Sequence, residues 1–181
     1  MSACSLICLI GFMGCGKSTV GRLLAERLGC AFLDLDSLVE ERRGKSILEI
    51  FRCEGEEAFR GYETDALNSL TGRGRLVLAA GGGAAVRPEN SRFFLENSFT
   101  IHLQVSFPEA LARTRFDPLR PLLRLPQESL KALYDSRLPE YRRLGLTVAT
   151  DGRSLEQVVE EIVRLLRARG QLREDLGQVH P

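Results

Sequence analysis

Residues 11–18 read Gly11-Phe12-Met13-Gly14-Cys15-Gly16-Lys17-Ser18, a spacing of glycines, lysine and hydroxyl that suits one kind of chemistry. Glycine reaches backbone angles that a side chain forbids, so such a stretch can curl until successive N–H groups face one point. Those dipoles, with the positive end of a following helix, form a seat for phosphate oxygens. The backbone of Gly14, Cys15, Gly16, Lys17, Ser18 and Thr19 is the expected cradle. Lys17 is placed to reach the β- and γ-phosphates of a nucleoside triphosphate, and the Ser18 hydroxyl to ligate Mg²⁺. Cys15 reads as a small residue where only the N–H matters; the alternative is a thiol made redox-sensitive by the helix N-terminus.

The loop works only between a buried strand and a helix, and the flanking sequence has that form. Residues 5–10 are a short apolar run, read as a strand covered on both faces. After the loop, Val20, Leu23, Leu24 and Leu28 recur at helical spacing, with Gly29 as the stop. Further strands are predicted over 31–35, 76–80, 99–105 and 146–149. The pairs Ser37/Glu40, Ser46/Glu49, Ser106/Glu109 and Ser154/Gln157 have capping-box spacing, and Pro88 opens another helix. A helix is also expected over 56–70, and another ends near 143. The last helix presents Leu155, Val158, Val159, Ile162 and Leu166 inward.

Strands alternating with helices predict an α/β fold: three layers, with a five-stranded parallel sheet between helices, as in P-loop NTPases. The expected domain covers residues 1–170, with a lid over 114–126, where proline and arginine concentrate, and a flexible tail over 171–181.

Composition narrows the partners. The 181 residues carry 25 basic and 24 acidic side chains, a net charge of +1, which gives no reason to expect nucleic acid or an anionic membrane. The five cysteines show no CxxC pair, so free thiols in a reducing cytoplasm are expected rather than disulfides or zinc. His102, mid-strand, and His180, in the tail, read as structural or incidental.

Beyond the loop come Asp34-Leu35-Asp36, Gly55-Glu56-Glu57-Ala58-Phe59-Arg60 with Glu63, Gly81-Gly82-Gly83-Ala84, Arg120-Pro121-Leu122-Leu123, and Arg137-Leu138-Pro139-Glu140-Tyr141. In this order, over about residues 6–166, the chain resembles the shikimate kinase family. That resemblance implies a nucleoside monophosphate kinase-like fold, ATP and Mg²⁺, and phosphorylation of the shikimate 3-hydroxyl in aromatic amino-acid biosynthesis. It further implies a cytoplasmic monomer whose partner is a small molecule.

By the same resemblance, Arg60 and Arg137 match carboxylate-binding arginines, and Asp36 the carboxylate that meets the ring hydroxyls. Gly82 and Gly83 match backbone lying close to the ring, and substrate-binding helices fall at about 37–70. Asp34 matches a residue holding the metal's hydration shell. Arg120 matches a lid arginine that joins Lys17 and Asp36 in catalysis. Arg113 and Arg153 match arginines flanking adenine, with Arg115 as the alternative to Arg113, because Phe116-Asp117-Pro118 departs from the family's usual polar stretch. A gluconate kinase, or a non-catalytic nucleotide-binding module, would share the glycine loop without the combination of Asp36, Arg60 and Arg137.

Overall fold

Leu6–Ile10 form strand β1, and all five residues are buried, with Cys8, Leu9 and Ile10 wholly so. A strand apolar along its whole length, rather than at alternate positions, must be covered on both faces. The computed structural model, which describes residues 6–115 and 125–172, places β1 at the centre of a five-stranded parallel sheet. The other strands are β2 (Ala31–Asp34), β3 (Leu76–Ala79), β4 (Phe99–Gln104) and β5 (Leu146–Ala149), in the order β2-β3-β1-β4-β5. Register is fixed by pairs such as Leu9 with Ala79 on one side and Ile101 on the other.

The strand order reverses beside β1, because the chain first builds β2 and β3 on one side and then β4 and β5 on the other. Ligands of open parallel sheets bind at the carboxyl ends of strands where such a reversal opens a crevice. The glycine loop leaves β1 at that point.

Helix α1 (Lys17–Leu28) follows the loop and packs against α8 (Leu155–Ala168). Gly29 ends α1 in the left-handed conformation, as expected. Helices α2 (Leu35–Arg43), α3 (Ile47–Cys53) and α4 (Glu56–Asn68) pack on one another beyond β2. The rings of Phe51 and Phe59, 4.9 Å apart, join α3 to α4. Helices α5 (Pro88–Glu96), α6 (Phe107–Thr114) and α7 (Gln127–Leu144) complete the set, with α5 and α7 packed together against β4.

Two of the four capping boxes form: Ser46 with Glu49 at α3 and Ser154 with Gln157 at α8. The other two do not. Helix α2 begins two residues before Ser37, because the Asp34 side chain accepts the Asp36 N–H and caps it there; Glu40 instead accepts the Ile47 N–H at 2.8 Å. Ser106 does precede α6, but its side chain makes no capping bond: Asp151 accepts the Ser106 N–H at 3.0 and 3.1 Å, and Glu109 pairs with Arg113. Leu155, expected in the core, is 40% exposed at the first position of α8, whereas Val163 is buried. Of the segment 114–126, residues 116–124 lie outside the described residues, as do residues 173–181 of the tail. Among the described residues no helix is long and apolar enough to cross a membrane.

Candidate active site

The glycine loop has the curl its composition allows. Gly11, Gly14 and Gly16 all have positive φ, and Gly16 is the residue from which α1 starts, with no side-chain cap. A Cβ on Gly14 would lie 2.8 Å from the Ala110 carbonyl oxygen, so both the angle and the space require glycine. With no capping side chain, the first-turn N–H groups of α1 are available to an anion. Lys17 folds back over the loop, donating to the carbonyls of Gly11 at 2.9 Å and Phe12 at 3.1 Å, and lies 3.6 Å from the Cys15 sulfur. Cys15 is 1% exposed.

The Ser18 hydroxyl donates to Asp34 Oδ2 at 2.6 Å, while Asp34 Oδ1 takes the Asp36 N–H at 3.1 Å. One carboxylate at the end of β2 therefore connects the phosphate loop to the first turn of α2, where Asp36 stands.

Across from the loop, Arg60 of α4 donates through Nη1 to Glu63 Oε2 at 2.6 Å and through Nη2 to Glu56 Oε1 at 2.8 Å. Burial alone would lower the Arg60 pKa, but Glu63 and Glu56 raise it, so the guanidinium stays charged. Glu63 is 1% exposed, and among the described residues its Oε1 has no hydrogen-bond partner. Burial pushes its pKa up to about 7, against the pull of Arg60 and with the push of Asp36.

The three glycines after β3 let backbone pass beneath these side chains. A Cβ on Gly81 would fall 2.6 Å from Glu63 Oε1 and 3.1 Å from Asp36 Oδ1, and a Cβ on Gly83 would collide with the Arg60 guanidinium. Their smallness already has a reason within the protein.

Arg137, on α7, approaches the same floor: its Nη1 would lie 3.5 Å from a Cβ on Gly82. One turn later Tyr141, 1% exposed, donates its hydroxyl to the Gly82 carbonyl at 2.9 Å. Burial raises the Tyr141 pKa, so the phenol stays protonated. Its ring lies 5.3 Å from that of His102, whose Nδ1 is 3.2 Å from the Thr147 hydroxyl. Burial, helped by the charges of Arg142 and Lys17, lowers the His102 pKa to about 4, so this histidine is neutral and structural.

A single cleft of about 970 Å³ gathers these groups. Gly14, Cys15, Gly16, Lys17, Ser18 and Thr19 line it on the loop side, with Asp34 and Asp36 beside them. Arg60, Gly82, Gly83 and Arg137 line the opposite part, and Arg113 and Arg153 the remaining end. Arg113 donates to the Thr150 hydroxyl and carbonyl, both at 3.1 Å, and to the Gly14 carbonyl at 3.4 Å. Arg153 is held by the Ala149 carbonyl at 3.1 Å and Glu161 at 2.6 Å. Arg115 is not among the cleft-lining residues, and Arg120 lies outside the described residues.

The cleft also has lining that residue spacing did not single out. Ile47, Phe51 and Phe59 form an apolar wall, Glu56 sits on the rim, and Leu155 and Val158 face the Arg113 end. The i, i+4 spacing of Ile47 and Phe51 was the available signal for the wall.

A glycine loop at the reversal of strand order, a lysine and serine opening the next helix, and an arginine–carboxylate pocket across one cleft define a P-loop kinase of the nucleoside monophosphate kinase-like type. Within that class the chain belongs to the shikimate kinase family, whose model, described as "Shikimate kinase", matches residues 13–167. It is 45% identical over 163 residues to the shikimate kinase of Geobacter sulfurreducens, covering 89% of this chain and 90% of that protein. It is 44% identical over 165 residues to that of Thermus thermophilus, with 90% of each covered. Among solved structures, the shikimate kinase of Acinetobacter baumannii in complex with shikimate superposes with a TM-score of 0.87 at 40% identity, covering 91% of this chain and 94% of that one.

Proposed function

We propose that this protein transfers the γ-phosphoryl group of ATP to the 3-hydroxyl of shikimate, giving 3-phosphoshikimate and ADP for aromatic amino-acid biosynthesis. The observation that carries the reading is the meeting of Asp36, Arg60 and Arg137 at one part of a cleft whose other part is the glycine loop. Two arginines suit a planar carboxylate, and a carboxylate suits ring hydroxyls. The relative whose structure was solved with shikimate, alike over most of both chains, supports the same assignment.

Phosphoryl transfer asks the protein for positioning and for charge placed where negative charge spreads. The loop amides of residues 14–19 would hold the triphosphate, and Lys17 would exchange the carbonyls of Gly11 and Phe12 for phosphate oxygens. Arg113 and Arg153 would flank adenine, with Leu155 offering apolar surface nearby. Asp36 would hold the attacking hydroxyl and draw on its proton, while Arg60 and Arg137 fix the far end of the ring. Arg120 is assigned to the lid by the family pattern, where it would add positive charge to the transferring group.

The Ser18 hydroxyl and the Asp34 carboxylate are hard oxygen donors already within hydrogen-bond reach of one another, which fits Mg²⁺, an ion that keeps several of its waters. When bound, Mg²⁺ neutralises charge on the triphosphate oxygens. The protein would act as a cytoplasmic monomer, a setting consistent with free thiols at Cys8, Cys15, Cys30 and Cys53.

A coupled assay of ADP release across shikimate, gluconate and nucleoside monophosphates tests the reading. Stimulation by shikimate alone is expected. Equal or greater stimulation by gluconate or a nucleotide would overturn it.

A further inference from the structure

Both terminal nitrogens of Arg60 are engaged by the protein's own carboxylates, and those two carboxylates are not alike. Glu63 is 1% exposed and fixed within the fold. Glu56, one turn before Arg60, holds Nη2 at 2.8 Å with a side chain 65% exposed, and it lines the cleft. It is the first residue of α4, directly after the N-cap Gly55, which supplies no side-chain cap. A two-pronged partner for Arg60 therefore meets a fork whose Nη1 prong is held by a buried carboxylate and whose Nη2 prong is held by an exposed one.

We propose that Glu56 is an affinity-tuning residue: an internal carboxylate that occupies the Nη2 side of Arg60 in the free enzyme and is displaced by the carboxylate of the substrate. This rests on the assignment of Arg60 to the substrate carboxylate made above. The exchange replaces one anion by another, so Arg60 is never left bare in the cleft. It also means that a neutral ring, with nothing to offer Nη2, leaves the Glu56 contact in place. Affinity for the acidic substrate is lowered by the competition, and modestly, because an exposed ion pair four residues apart on a helix is weak.

The neighbouring Glu57 supplies the control. It has the same charge, is 82% exposed, and pairs with Arg87 rather than Arg60. In steady-state kinetics, Glu56→Gln is expected to lower the KM for shikimate by about two- to fivefold while the KM for ATP changes less than about twofold. Glu56→Asp keeps the charge at the start of α4 but is too short to hold Nη2, so it should lower the KM in the same direction. Glu57→Gln should leave it in place. In an Arg60→Ala background the effect of Glu56→Gln should vanish, since the two act through one contact.

A KM that rises or stays level in Glu56→Gln, or an equal fall in Glu57→Gln, would overturn the proposal. Failure of the underlying assignment has a different signature: Arg60→Ala would then leave shikimate KM unchanged. Thermal melts of each variant separate a folding defect from these outcomes.

Discussion

Ser18 donates its hydroxyl to Asp34 over 2.6 Å, tying the first turn of α1 to the end of β2 beside the glycine loop. If these oxygens hold the metal or its water, Ser18→Ala and Asp34→Asn should each raise the Mg²⁺ concentration for half-maximal rate by about tenfold or more. Titrating Mg²⁺ at saturating ATP measures this. Unchanged titrations in both variants would remove the pair from the metal site.

Arg60 is the proposed anchor for the substrate carboxylate. Arg60→Ala should cost roughly 1.5–3 kcal/mol in kcat/KM for shikimate, about 10- to 160-fold, because a charge-assisted hydrogen bond is lost. The KM for ATP should change little, since the loop proposed to bind it lines another part of the cleft. Equal losses for both substrates would place Arg60 elsewhere in the mechanism.

Tyr141 holds the Gly82 carbonyl at 2.9 Å, one turn after Arg137 on α7. Tyr141→Phe keeps the ring beside His102 and removes only the hydroxyl. Stability should fall by about 1 kcal/mol, and the KM for shikimate should rise about fivefold with kcat nearly unchanged. Denaturant melts and initial rates check the two parts. A loss of kcat with constant KM would contradict a positioning role.

Glu63 makes the fold sensitive to pH. The folded state keeps a proton on it up to about pH 7, whereas the unfolded chain releases that proton near the ordinary value of 4.5. Between those values the native state binds more protons, so the Glu63 contribution to stability falls as pH rises. Glu63→Gln cannot titrate. The stability of the wild type relative to this variant should decline from pH 5 to pH 8 in denaturant melts, and parallel curves would show that Glu63 ionises normally.

His102 works in the other direction. Its folded pKa of about 4 lies below the ordinary 6.5, so the unfolded chain takes up a proton first as pH falls. Stability is lost between about pH 6.5 and 4. His102→Gln should show a shallower loss over that window, and an identical acid limb would mean that this ring titrates alike in the folded and unfolded chain.

The features legible in sequence were those that short segments determine. The glycine loop, the boxes at Ser46 and Ser154, and the Arg60–Glu63 pair three residues apart all depend on near neighbours. Ser37 and Ser106 had the right spacing and lost to competitors: Asp34 caps α2 earlier, and Asp151, 45 residues away, takes the Ser106 N–H. The Tyr141–Gly82 bond spans 59 residues and joins α7 to the loop after β3, so nothing local announces it. For Gly82 and Gly83 the family pattern predicts backbone close to the ring; what it does not announce is that a Cβ on Gly83 would meet the Arg60 guanidinium, and one on Gly81 the Glu63 and Asp36 carboxylates. Leu155 read as core because its apolar type fitted the helix period, yet the start of α8 opens onto the cleft.

A hydroxyl held near Asp36 should receive the phosphoryl group seated on residues 11–18. Incubating the protein with Mg²⁺, shikimate and ATP labelled in its γ-phosphoryl group tests it most directly. The label should appear on the 3-hydroxyl of the ring acid, with one ADP formed for each label transferred. Label found only in inorganic phosphate, or left on ATP, would contradict the account.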